Sequence, residues 1–174
     1  ELTCRDWSSD VCSSDLGELW EKLLADERVK PAGLGARDVL RLEVGYSLYG
    51  SDIDEATTPL EADLAAFVKL DKQFVGKEAL LKQQEQPLKR VKVAFKVTSR
   101  RTPRHGFGIF EGEKQIGEVT SGVFSPMLGC GIGLGYVEPA YAALGTALTI
   151  KQDRAVMEAA VCMVPFFTEG SVRS

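Results

Sequence analysis

The sequence holds one histidine, His105, and only three methionines and two tryptophans in 174 residues. With no second histidine, a Ser-His-Asp arrangement or a histidine-rich metal site would rest on His105 alone, and no paired nucleophile or second ligand stands near it. Long uncharged apolar runs are missing too, and the mean hydropathy is −0.06. That excludes a membrane-spanning helix and predicts a soluble protein. Seven prolines against 17 glycines are far from a collagen-like or disordered bias. A basic excess is also lacking: 21 Lys and Arg face 25 Asp and Glu, a net charge of −4, which argues against a nucleic-acid binder. What is present is ordinary globular composition, 44% hydrophobic and 26% charged, on a chain long enough to bury a core without staples.

Residues 1–16 differ from the rest. Ser8, Ser9, Ser13 and Ser14 sit in two Ser-Ser-Asp repeats around Cys12, with no apolar period and no signal-peptide order. The run Asp6 to Leu16 resembles the in-frame translation of a sequencing-library adapter, a natural polar arm being the other reading. Residues 1–16 are therefore expected to be a disordered scar, and the remainder the C-terminal fragment of a longer protein. Setting the run aside removes Cys4 and Cys12. Cys130 and Cys162 remain, which form neither a metal spacing nor a disulfide framework and point to a reduced, cytoplasmic setting.

Two kinds of periodicity divide the chain from Gly17 onward. Leu19, Trp20, Leu23 and Leu24 fall at helical spacing, and Ala36, Leu40 and Val44 form a second stripe that Gly45 would end. Residues 50–63 read as a loop, Leu64 to Leu70 as a strand, and Gly76 to Gln84 as a third helix, with Pro87 marking a boundary. Beyond it Val91, Val93, Phe95 and Val97 alternate with Arg90, Lys92, Ala94 and Lys96, a period of two. Further short alternating runs at 107–110, 115–120, 132–137, 147–150 and 155–163, separated by turns, predict an antiparallel barrel or sandwich. The expected fold is α+β: a mixed α/β segment over 17–86 followed by a β-barrel domain over 87–174.

Chemistry is harder to find. Gly129, Gly131, Gly133 and Gly135 lie inside a period-two run rather than at a strand-to-helix turn, which favours close backbone approach over a nucleotide loop. Seven basic residues between Lys89 and Arg104 (Lys89, Arg90, Lys92, Lys96, Arg100, Arg101 and Arg104) could meet an anion or form a solvated strand face. Arg37 can present a planar fork to a carboxylate, or form a surface i to i+4 pattern with Arg41 or an intrahelical pair with Asp38 or Glu43; the residues alone leave both readings open.

Specific strings say more. Gly33-Leu34-Gly35-Ala36-Arg37-Asp38, Leu48-Tyr49-Gly50-Ser51-Asp52-Ile53-Asp54-Glu55, Thr58-Pro59-Leu60-Glu61, Pro103-Arg104-His105-Gly106 and Ile132-Gly133-Leu134-Gly135-Tyr136-Val137 occur in that order. Together they closely resemble the glycine cleavage system T-protein, the aminomethyltransferase family, from about Gly17 to the C-terminus. The resemblance implies the last part of a three-domain fold ending in a β-barrel. It implies a monomeric enzyme that takes the aminomethyl group from the lipoyl arm of H-protein, releases ammonia and passes the one-carbon unit to tetrahydrofolate, without metal, flavin, nucleic acid or membrane.

The same resemblance puts the family's catalytic aspartate in the N-terminal half, so no catalytic residue is expected in this chain, and the fragment alone is expected to be inactive. Arg37 matches a folate-holding arginine, and Arg173, in Gly170-Ser171-Val172-Arg173, is a second folate- or substrate-binding candidate. Arg104 matches a recurrent position and is expected to support a loop or a domain contact. Two alternatives are the folate-binding C-terminal region of a sarcosine or dimethylglycine dehydrogenase, and a non-catalytic folate-binding relative, whose Lys-Gly-Cys motif is not found here.

Overall fold

The computed structural model describes residues 15–153 and 155–169. The described residues divide into two compact units, one running to Ala36 and one from Arg37. No helix among the described residues is long and apolar enough to cross a membrane.

In the first unit, α1 (Asp15–Leu24) carries Leu16, Leu19, Trp20 and Leu23 on one stripe, as helical spacing requires. On its polar side Glu18 and Lys22 pair at 2.6 Å across one turn. The helix starts two residues inside the 1–16 run; residues 1–14 of that run lie outside the described residues.

Helix α2 (Leu34–Val44) leads into the second unit. It stops where the sequence indicates. Gly45 takes φ +84°, its N–H donates to the Leu42 carbonyl and that of Tyr46 to the Arg41 carbonyl, both at 2.8 Å, so the last carbonyls of the helix are satisfied by a left-handed cap. A side chain at Gly45 would run into Val164. Helix α3 (Lys77–Gln84) follows Gly76, also at positive φ. The strand expected over Leu64 to Leu70 does not form. A 3-10 turn occupies Ala65–Phe67, preceded by Asp63 at φ +55°. A strand needs a partner for its backbone groups, and the six strands further along the chain close on one another, which leaves no free edge.

Those strands are β1 (Val91–Val97), β2 (Gly108–Glu111), β3 (Lys114–Ser125), β4 (Cys130–Val137), β5 (Ala147–Gln152) and β6 (Ala155–Cys162). They form a closed barrel in the order β1-β4-β3-β2-β5-β6, with every neighbouring pair antiparallel. The period of two now has its explanation: Val93, Phe95 and Val97 point into the barrel with Ile109, Ile116, Val119, Val137, Ile150 and Met157. Ala94 points outward, where it joins Ile132, Leu134, Phe166 and Leu42 of α2 in a second cluster. Thus α2 is fastened to the outside of the barrel.

The alternating glycines of β4 serve this packing. A methyl at Gly133 would collide with the Phe95 ring, and one at Gly131 with the Arg101 carbonyl, because residues 99–103 fold across that end of the barrel. The Gly131 N–H donates to the Ser99 carbonyl at 3.3 Å, and Pro103 is fully buried.

Candidate functional site

The polar centre of the second unit is Arg41, on the barrel side of α2. Its Nε donates to Asp38 at 2.7 Å and its Nη1 to Asp52 at 2.6 Å. Its Nη1 also reaches the Tyr46 carbonyl at 3.1 Å, and its Nη2 donates to Ser121 Oγ at 2.9 Å. A planar guanidinium can serve four acceptors in this way, and a lysine ammonium cannot hold the same fork.

Asp52 answers it from a tight turn. The Leu48 carbonyl accepts from the Asp52 N–H at 2.8 Å, and the Leu48 N–H donates back to Asp52 Oδ2 at 2.8 Å. Thr120 Oγ1 donates to Oδ1 at 2.5 Å, and Tyr136 Oη donates to the Asp52 carbonyl at 2.8 Å. With 1% of its surface exposed, this carboxylate exchanges all its water for protein donors.

A bulge in β3 makes the match possible. The β3–β4 register pairs Val119 with Gly135 and Ser121 with Leu134, so Thr120 is an extra residue. One added residue re-aims the strand, and Thr120 and Ser121 both reach the Arg41–Asp52 pair. The bulge carbonyl of Thr120 is taken up by His105 Nδ1 at 2.9 Å, which gives the single histidine a structural partner. Further along α2 a second buried acid, Glu43, accepts from Ser125 Oγ at 2.5 Å. The hydroxyl in turn accepts from the Leu128 N–H at 3.1 Å.

Arg37 stands one helical turn before Arg41 and is exposed. Its candidate partners are engaged elsewhere, Asp38 by Arg41 and Glu43 by Ser125. Among the described residues Arg37 forms no ion pair, so its fork remains available to an external carboxylate. Arg173 lies outside the described residues.

The basic stripe does not assemble into one anion site. Arg90 stacks over Tyr136 at 4.7 Å and pairs with Glu61 at 3.4 Å, while Lys92 donates to Ser47 Oγ at 3.0 Å. Arg100 stacks over Phe124, and Arg101 donates to the Val156 carbonyl at 3.3 Å. Arg104 is exposed within the loop that crosses the barrel end.

Sequence reasoning passed over Arg41, Asp52, Thr120 and Ser121 as a set. Arg41 lies off the apolar stripe of Ala36, Leu40 and Val44, and its hydroxyl partner Ser121 lies 80 residues away in the chain. The one local signal was Asp52 in a glycine-containing turn, where a carboxylate commonly caps backbone N–H groups.

Comparison with known proteins agrees with this architecture. Residues 90–168 match the glycine cleavage T-protein C-terminal barrel domain. Residues 10–72 match the GCVT N-terminal domain, a span that begins inside the 1–16 run. An aminomethyltransferase of Halothermothrix orenii is 50% identical over 153 residues, covering 86% of this chain and 43% of that protein. One from Phocaeicola vulgatus is 46% identical over 155 residues, covering 85% and 43%. The crystal structure of the glycine cleavage system aminomethyltransferase T from Bartonella henselae superposes with a TM-score of 0.78 at 37% identity, covering 88% of this chain and 44% of that one. The chain therefore spans less than half the length of these relatives.

Proposed function

The chain belongs to the glycine cleavage T-protein family, and from that premise we propose that it is the C-terminal portion of an aminomethyltransferase. The whole enzyme takes the aminomethyl group from the lipoyl arm of H-protein, releases ammonia and delivers the one-carbon unit to tetrahydrofolate. In this reading the chain contributes α2 and the barrel, while the carboxylate that organises the reacting folate belongs to the part of the family's length that the chain does not span. A cytoplasmic setting is consistent with two free thiols, Cys130 and Cys162.

Arg37 carries the proposal for this chain. Its exposed guanidinium is the group we assign to the carboxylate tail of tetrahydrofolate, held in a bidentate pair. Support comes from the helix beneath it. Arg41, one turn on, is fixed by four acceptors, and Leu42 is fully buried in the cluster outside the barrel. A binding group on so constrained a helix loses little freedom when the ligand arrives. Arg173 is the second group we assign to the ligand, as the family's ending suggests.

Calorimetric titration of the chain with tetrahydrofolate, and with an analogue lacking the glutamate carboxylates, tests the assignment. Wild type is expected to bind tetrahydrofolate weakly. Arg37→Ala should lose roughly tenfold or more in affinity, as deletion of a charged hydrogen-bonding partner does, and should no longer distinguish the two ligands. Equal binding by wild type and R37A overturns the role of Arg37. Turnover by this chain alone with aminomethyl-loaded H-protein overturns the division of labour.

A further inference from the structure

A cleft of about 530 Å³ opens on the outer face of the barrel, at the C-terminal end of α2 and about two helical turns from Arg37. Strand register builds its floor. Ala94 of β1 lies opposite Leu134 of β4 on one side and Cys162 of β6 on the other, so the three side chains share one outward face. Ala94 is the smallest of them, and the space above it is the depression. The rim is apolar and exposed, with Tyr46, Phe67, Leu144 and Met163.

One cation faces this apolar space. Lys92, two residues before Ala94 and on the same face, is half-buried, and its ammonium donates to Ser47 Oγ at 3.0 Å. It forms no ion pair with a carboxylate among the described residues. Asp63 lines the same cleft but is exposed, and Asp52 is committed to Arg41. The pull of those two acids only partly offsets the effect of burial, which holds the Lys92 pKa below its ordinary value. The Cys162 thiol on the floor has its pKa pushed up to about 11 by burial, so it adds no negative charge near neutral pH. An ammonium with spare donors in an apolar recess is short of an anion.

We propose that this cleft binds an amphipathic monocarboxylate, its hydrocarbon chain lying over Ala94 and Leu134 and its carboxylate on Lys92 Nζ. The volume is that of a small-molecule site, and a largely apolar lining with a single orienting cation is what such a ligand requires. This site is separate from the one-carbon chemistry proposed above and does not depend on it.

Octanoate and the uncharged octanol are suitable probes, titrated calorimetrically into the wild-type chain, Lys92→Met and Met163→Glu. Wild type should bind octanoate, K92M should bind it at least tenfold more weakly, and octanol should bind both proteins alike. M163E puts a like charge at an exposed rim position and should also weaken octanoate but not octanol. K92M exchanges a desolvated ammonium for an apolar group of similar length, so its unfolding temperature should not fall below that of wild type. No octanoate binding by wild type overturns the proposal, as does undiminished octanoate binding by K92M.

Discussion

The Arg41 guanidinium meets the Asp52 carboxylate at 2.6 Å, where the aspartate side chain has no exposed surface and the arginine 12%. Two residues eleven positions apart thus join α2 to the turn after it, and through Thr120 and Ser121 both are joined to β3. Because the aspartate is fully paired, the network is worth most as a unit. Removing Arg41 leaves the Asp52 carboxylate buried with no cation, whereas removing Asp52 still leaves Arg41 paired with Asp38.

Arg41→Met should therefore destabilise the chain by about 3–5 kcal/mol, the usual penalty for stranding a buried charge, here the Asp52 carboxylate. The double variant Asp52→Ala with Arg41→Met should recover part of that loss. Urea unfolding of the single and double variants measures the coupling, and strict additivity would show that the pair does not act together.

The second buried acid gives a parallel test. Ser125→Ala removes the hydroxyl that donates to Glu43, and should cost about 1–3 kcal/mol by leaving a buried acceptor unmet. Adding Glu43→Leu should then recover part of that loss, the Leu128 N–H still lacking the Ser125 acceptor.

Gly131→Ala should be costly for a steric reason. The added methyl would meet the Arg101 carbonyl, so either β4 or the crossing loop must shift, at about 1–3 kcal/mol. Hydrogen exchange at residue 131 reports it directly, because that N–H donates to Ser99. Gly33→Ala, with nothing within 4 Å, serves as the control.

Tyr136 predicts a loss of stability at high pH. Burial raises its pKa from 10.0 to about 12, against the opposing pull of Arg90 above the ring. The folded state holds the phenol neutral while the unfolded chain ionises at its ordinary value, so the unfolded state binds fewer protons in that interval. The contribution of Tyr136 is complete below about pH 10 and falls away as pH rises towards about 12. Tyr136→Phe should flatten that part of the stability profile and remove one late-titrating phenol from the absorbance curve, in which Tyr141, hydrogen-bonded to Glu111, also titrates above its ordinary value.

Cys162 should resist alkylation. Burial and the nearby Cys130 raise the thiol pKa and Lys96 lowers it, with a net value of about 11, so the thiolate is scarce at about pH 8. Peptide mapping after brief iodoacetamide treatment should find Cys162 labelled many times more slowly than an unhindered thiol in a model peptide. Equal rates would contradict its burial.

How much of this was legible in the sequence depends on the range of the interaction. Alternation from Val91 to Val97 marks a half-buried strand because the side-chain period of a strand is two, whatever its partners. Gly45 marks the end of α2 because only a residue tolerant of positive φ suits that cap. Arg37 could be singled out from the string around it, and Cys130 and Cys162 could be expected to remain free from their number and spacing.

Closure and register decided what local pattern could not. Leu64 to Leu70 is apolar enough for a strand, yet a strand exists only where an edge accepts it, and the closed barrel offers none. A one-residue bulge at Thr120 aims both it and Ser121 at the Arg41–Asp52 pair, and no periodicity announces which residue of a strand will be the extra one. The helices and the alternating strands are written in the chain itself, because propensity and period are local properties, while the candidacy of Arg37 came from the resemblance of the string around it. Which charges are buried, what each is paired with, and where an ammonium without a carboxylate faces an apolar cleft were settled by folding alone, because those depend on groups that meet from 11 to 84 residues apart.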